Sequence, residues 1–247
     1  MQQTVFMHAQ TPLPLTLGFS VLAAGVAGLA AWGIALATGP VSAGAASRRA
    51  PRLLAVAALW MAAWALLARS GVLLDVARRP PPMMFMLAAS VAAGVALGAS
   101  PLGGRLARRL PLVALVAFQV FRLPLELIMG RAARAGLMPV QMSFEGWNFD
   151  IVTGASALLV AALLATDRAP RWLVVAWNAV GIVLLAVIFA IAVASTPLVH
   201  AFGTSPAVIN TWVGTAPFVW LPTVFVACAL AGHIVVTRRL LFDARTR

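Results

Sequence analysis

Between Phe121 and Gly154 the chain reads FRLPLELIMGRAARAGLMPVQMSFEGWNFDIVTG, and three of its six acidic residues, Glu126, Glu145 and Asp150, fall in this stretch. Arg122 and Glu126 interrupt an apolar run. At about 100° per residue, Gln119, Arg122 and Glu126 share an arc of about 60°, a single polar stripe on an otherwise apolar helix. Such a stripe cannot face lipid. Arg122 stands near mid-depth of the run, where an unpaired charge costs ~2.5 to 3.5 kcal/mol on insertion scales. Glu126, four residues on, is spaced to pair with it. Pro124 lies between the two and cannot donate to the carbonyl of Val120, so a kink and a free acceptor are expected at the same depth. An arginine, a carboxylate and a kink together suit the binding of a small polar or anionic solute, with Arg122 as anchor and Glu126 as charge partner or proton acceptor. A closed salt bridge that only locks the helix to its neighbours is the structural alternative.

The loop that follows, MSFEGWNFD over 142–150, adds Glu145, Asn148 and Asp150 at the mouth of the next apolar run. Gly146 permits a turn, and Asn148 or Asp150 suits the N-cap of the following helix, where exposed N–H groups favour a carboxylate. Phe144, Trp147 and Phe149 alternate with the polar residues, either as an interfacial aromatic belt or as the wall of a pocket floored by Glu145, Asn148 and Arg122. Thr153 and Gly154 continue the polar, narrow side below Asp150. A site of two levels is expected: Glu145 and Asp150 in an outer vestibule, with Gln119, Arg122 and Glu126 deeper.

The elements that must hold these residues are membrane helices. The chain has 247 residues, of which 62% are hydrophobic and 10% charged, too little polar surface to cover a water-soluble globule. The net charge of +12 comes as short arginine clusters between apolar runs, a topology signal and not a nucleic-acid surface. All eighteen basic residues are arginine, so chemistry needing a lysine Schiff base is excluded. The single cysteine, Cys228, lies in an apolar run and reads as a packing residue. No basic segment precedes the first apolar run, which is therefore expected to stay in the mature chain.

Seven apolar runs approach the length that crosses a ~30 Å hydrocarbon core. They cover 17–38, 53–68, 84–99, 111–129, 150–166, 173–194 and 217–236, giving an all-α, single-domain, seven-helix bundle with a basic tail over 238–247. The second and third are short and are expected to extend into the interface. The loops after runs one, three and five, together with the tail, carry twelve arginines, whereas the alternate loops carry five. That imbalance places the N-terminus outside and the C-terminus in the cytoplasm. Segment 195–216 carries no formal charge and, with the 130–149 loop and the first 16 residues, is expected to lid the outer face. Ser90, Gly94 and Gly98 recur every four residues, a seam for another helix of this chain or of a partner. Pro222 should kink the last helix, and Asn178 and His233 read as helix–helix hydrogen bonds. His8 and His200, both on the outer side, lack the spacing of a metal pair, so neither a metal nor a cofactor is expected.

The strings FRLPLE, FEGWNFDIVTG and PFVWLPTVFV, with His233, resemble a family of bacterial multi-pass integral membrane proteins with no assigned activity, over roughly the C-terminal half. The family pattern has a basic residue where Trp147 stands, which implies a different charge balance at that loop. The resemblance implies a multi-pass protein of a bacterial cytoplasmic membrane and carries no residue role. The leading expectation is a solute carrier or binding protein in contact with the lipid bilayer. A non-catalytic subunit and an acid–base enzyme acting on a lipid-like substrate through Glu126, Glu145 or Asp150 are the alternatives, and the expectation leans away from an enzyme.

Overall fold

The computed structural model describes residues 11–39 and 43–245, which are helical with no strand among them. Six helices are long and apolar enough to cross a membrane: α1 (Leu13–Ala37), α2 (Ala46–Arg69 within a helix starting at Ala43), α3 (Pro82–Ala99), α5 (Leu112–Arg134), α7 (Arg171–Ala194) and α8 (Leu221–Ala244). Between them lie the nine-residue α4 (Pro101–Arg109) and the apolar α6 (Ile151–Ala165). The 15 residues of α6 rise about 22 Å at 1.5 Å each, less than the ~30 Å that the others exceed or approach. The chain is an integral membrane protein on this pattern of apolar helices.

Several boundaries differ from the hydropathy expectation because residues that are not apolar, arginine among them, continue a helix beyond its apolar run. The run expected at 53–68 starts ten residues earlier, at Ala43, and carries Pro51 within it. Segment 101–109, expected as a loop, is the strongly amphipathic α4, with Ser100 as N-cap accepting from the Gly103 N–H at 3.2 Å. The helix expected to stop at 236 continues to Arg245, through most of the segment expected as a basic tail. Arg238 donates to the carbonyls of Gly98 and Ser100, both at 2.7 Å, and Arg239 to those of Ala107 and Leu110 at 3.2 Å. These guanidinium groups satisfy the orphan carbonyls at the ends of α3 and α4. Arg49 does the same for Ala35 of α1, and Arg171 donates to the Leu240 carbonyl of α8. The four arginine-rich segments thus meet at one end of the bundle.

Two spans are irregular in their interiors. In α5 the turn Phe118–Phe121, just before the helix that contains Pro124, tightens to 3₁₀ geometry. In α8 the first six residues, Leu221–Val226, form a π-helical stretch around Pro222. The two irregular turns touch: the rings of Phe121 and Phe225 lie 5.8 Å apart, and Phe19 of α1 packs edge-on against Phe225 at 5.3 Å. The Trp60 indole donates to the carbonyl of Thr223 in the π-helical stretch at 2.9 Å, and the Trp220 indole returns a bond to Met61 of α2 at 3.0 Å. Irregular backbone at this depth is tolerated because protein donors replace the missing helical ones.

The seam Ser90, Gly94, Gly98 is buried, and α8 of the same chain fills it. A Cβ on Gly94 would come within 2.8 Å of the Ala227 carbonyl, and one on Gly98 within 2.8 Å of the Ile234 side chain. The possible partner helix at this seam is therefore replaced by an internal contact. Gly94→Leu should force α3 from α8 and destabilise the protein by about 1 to 3 kcal/mol, read as a lower Tm in detergent. An unchanged Tm would contradict the close α3–α8 approach.

Candidate functional site

Arg122 begins the regular part of α5 after the 3₁₀ turn and is 1% exposed. Its guanidinium does not pair with Glu126. It forks onto Asp150, with Nε donating to Oδ2 at 2.6 Å and Nη2 to Oδ1, while Nη1 donates to His233 Nε2 at 2.7 Å. The i, i+4 expectation fails because a carboxylate on the next helix presents both oxygens to the planar fork, a geometry that a neighbour on the same helix does not match. Asp150 gets there because Gly154, one turn below, has no side chain. A Cβ on Gly154 would sit 2.3 Å from the backbone nitrogen of Leu123, so α6 lies directly on the backbone of α5.

Arginine has no acceptor, so His233 Nε2 must offer its lone pair to Arg122, and Nδ1 then carries the proton. Nδ1 donates to Asn178 Oδ1 on α7 at 2.9 Å, and Asn178 Nδ2 donates to Thr237 at 2.8 Å. One chain of hydrogen bonds therefore runs Asp150, Arg122, His233, Asn178, Thr237 and ties together α6, α5, α8 and α7. The helix–helix bonds expected of His233 and Asn178 are present, but they belong to the arginine's own shell. Neither residue was a site candidate on sequence, since a lone His or Asn in an apolar run carries no partner information.

Glu126 lies in a separate arrangement one turn further along α5 and is 2% exposed. Its two carboxylate oxygens share the Asn148 side-chain amide, at 3.0 and 2.9 Å. Asn148 Nδ2 also reaches the Met142 carbonyl at 3.1 Å, and its Oδ1 accepts from the backbone N–H of Asp150 at 3.1 Å. Asp150 stands at the N-cap of α6 but makes no side-chain cap, because Arg122 occupies its carboxylate. Four of the six acidic residues form ion pairs, Asp75, Glu145, Asp150 and Asp243, and Asp167 is exposed. Glu126 is thus the one buried carboxylate without a cation.

The two-level site changes accordingly. Asp150 belongs to the deep level with Arg122, while Glu145 is remote, paired at 2.6 Å with the half-exposed Arg134. Trp147 is 64% exposed and walls no pocket. Gln119 is buried but turned to α8, donating to the Ala229 carbonyl at 3.1 Å, with its Oε1 unpartnered. Of the six residues proposed from sequence, Arg122, Glu126, Asn148 and Asp150 come together, and Gln119 and Glu145 stand apart from them.

A cavity of about 50 Å³ adjoins this cluster. Arg122, Glu126, Asn148 and Asp150 contribute to its wall, as do Leu221, Pro222 and Phe225 of the π-helical stretch. Of the segments expected to lid the outer face, 195–216 packs onto this cavity, and the first ten residues lie outside the described residues. Within 195–216, Asn210 and Val213 line the cavity, and Gln141 donates to Ser195 Oγ at 3.1 Å and to the Val208 carbonyl at 2.8 Å. The Asn210 side chain donates to Ala192, but its Oδ1 has no donor. Among the described residues no three His, Cys, Asp or Glu side chains gather as metal ligands. His200 is exposed, and His8 lies outside the described residues.

The chain matches no protein-family model, no curated protein and no solved structure.

Removing one member of a buried ion pair leaves the other uncompensated, at a cost of about 3 to 5 kcal/mol. Arg122→Gln should therefore abolish recovery of folded protein from the membrane. Glu126→Gln keeps an acceptor for Asn148 and should fold with a Tm close to that of the native chain. Size-exclusion profiles and Tm in detergent separate the two, and a well-folded Arg122→Gln protein would contradict a scaffold role for this arginine.

Proposed function

We propose that this chain is a seven-span membrane protein, N-terminus outside and C-terminus in the cytoplasm, that binds and carries a small solute in the cavity beside Glu126. The observation that carries the reading is the Glu126 carboxylate itself, buried, without a cation, on the wall of a cavity between two helices that are irregular at the same depth. A buried carboxyl left in this state is expensive unless a proton or a ligand compensates it, and ionisable residues inside membranes mark ligand and proton paths by default. The 3₁₀ turn of α5 and the π-helical stretch of α8 supply helix geometry that can rearrange around a ligand. Arg122 is the scaffold of this site and not its anchor, since Asp150 and His233 already hold its guanidinium.

The seven-span arrangement rests on α6. The arginine-rich ends of α1, α2, α3, α7 and α8 are linked at one end of the bundle, and α5 starts there. For α5 to finish at the far end and α7 to begin at the arginine-rich one, α6 has to cross between them. Its shortness is met by Arg168, whose long side chain reaches the headgroups beyond its end. The arginine-rich end is cytoplasmic by the positive-inside rule, in a bacterial cytoplasmic membrane.

A non-catalytic subunit is the second reading, and the sealing of Arg122 favours it. The enzyme reading lacks its second carboxylate, because Asp150 is committed to Arg122.

Labelling decides between carrier and subunit. With Cys228→Ala as background, Val213→Cys on the cavity wall should react with a membrane-impermeant thiol reagent added outside, whereas Ala157→Cys, buried between α6 and its neighbours, should not. A Val213→Cys protein as inert as the Ala157→Cys control would reject the carrier and favour the subunit. A reporter active only in the periplasm, fused after Arg247, should be silent; activity would reverse the orientation.

A further inference from the structure

Among the side-chain nitrogens and oxygens on the cavity wall, the one atom with no partner is an acceptor. Every donor nitrogen on its wall already has an acceptor: the three guanidinium nitrogens of Arg122 go to Asp150 and His233, and the amide nitrogen of Asn148 to Glu126 and Met142. The amide nitrogen of Asn210 is likewise engaged by Ala192. The acceptors are not matched. Glu126 offers two oxygens to a single amide nitrogen, and Asn210 Oδ1, on a side chain that is 0% exposed, has no donor at all. A buried acceptor without a donor is an unusual expense, and where it borders a cavity it points to a missing group.

We propose that the ligand is a small cation carrying N–H donors, ammonium or a primary alkylammonium of one carbon, held between Glu126 and Asn210. This rests on the carrier reading above and names its substrate class. The charge follows from Glu126, since Arg122 and Asp150 neutralise each other, and a ligand that takes the place of a proton in balancing the remaining carboxylate is a cation. The N–H groups follow from Asn210, whose Oδ1 accepts a hydrogen bond and can give none. The size follows from a cavity of about 50 Å³, room for only a few water-sized groups when each needs at least about 10 to 15 Å³. Leu125, Met129, Leu185 and Phe225 give the wall an apolar side that suits a methyl group. An alkali ion needs a shell of oxygens that two side chains in a largely apolar wall do not provide, and an anion would be repelled by the Glu126 carboxylate. Tetramethylammonium has the charge but neither the N–H groups nor the size.

The full chain, reconstituted in lipid nanodiscs, should show a saturable rise in Tm with ammonium chloride and with methylammonium chloride. At equal ionic strength, sodium chloride and tetramethylammonium chloride should leave Tm unchanged. Glu126→Gln should weaken methylammonium binding at least tenfold, and Asn210→Leu several-fold. Should either variant fail to fold, the comparison of the four salts on the native chain still decides. Absence of a saturable shift with both N–H cations overturns the assignment, as does an equal shift with tetramethylammonium or sodium. The cysteine experiment keeps the two readings apart. Labelling of Val213→Cys without ammonium binding sinks the substrate class and leaves the carrier standing. A Val213→Cys protein slowed in its labelling by methylammonium supports both.

Discussion

A guanidinium in the middle of a membrane helix has to be neutralised and hydrogen-bonded by protein, and the neighbours of α5 are arranged to do this for Arg122. Asp150 supplies the counter-charge, His233 accepts from the remaining nitrogen, and Asn178 fixes the tautomer that makes the acceptance possible. These three residues come from the start of α6, from α8 and from α7. The position of each helix about α5 is thus set by what one arginine requires. Gly154 is part of the same requirement, because any side chain there would hold α6 away and leave Asp150 out of reach.

That closed arrangement makes the neighbouring carboxylate conspicuous. Glu126 is on the same helix face and one turn away, yet it has only an amide for company. Separation of the two roles follows from charge arithmetic: one arginine satisfies one carboxylate fully, and the second must be balanced from elsewhere. The cavity is where this imbalance is exposed, and the irregular turns of α5 and α8 line it. Prolines account for both irregularities. Pro124 withholds a donor from the turn before it, Pro222 sits within the widened stretch, and Trp60 supplies an indole N–H to the Thr223 carbonyl there.

The arginines at the far end serve a different purpose from Arg122. Arg49, Arg171, Arg238 and Arg239 reach backbone carbonyls of other helices and so stitch α1, α3, α4 and α8 together. Charge bias in loops and capping in the folded bundle use the same residues. Arg108 adds a contact to the Phe242 ring at 5.1 Å, closing α4 against the end of α8.

Apolar run length and arginine bias made the membrane class and the approximate helix positions legible from sequence, because both are properties of contiguous residues. The polar stripe on α5 was legible for the same reason: helical periodicity places Gln119, Arg122 and Glu126 on one face whatever surrounds them. Helix ends were misjudged at Ala43, at α4 and at Arg245, since arginine-bearing segments outside the apolar run can still continue a helix. What periodicity cannot encode is which group a second helix brings to that face. Arg122 had a carboxylate four residues away and took one 28 residues away, because Gly154 let α6 approach and Asp150 met the fork with both oxygens. By itself the sequence determined that charges are buried here. Only the tertiary structure decided which of them are paired, and that Glu126 is not, because pairing depends on distances between helices and not on spacing along one.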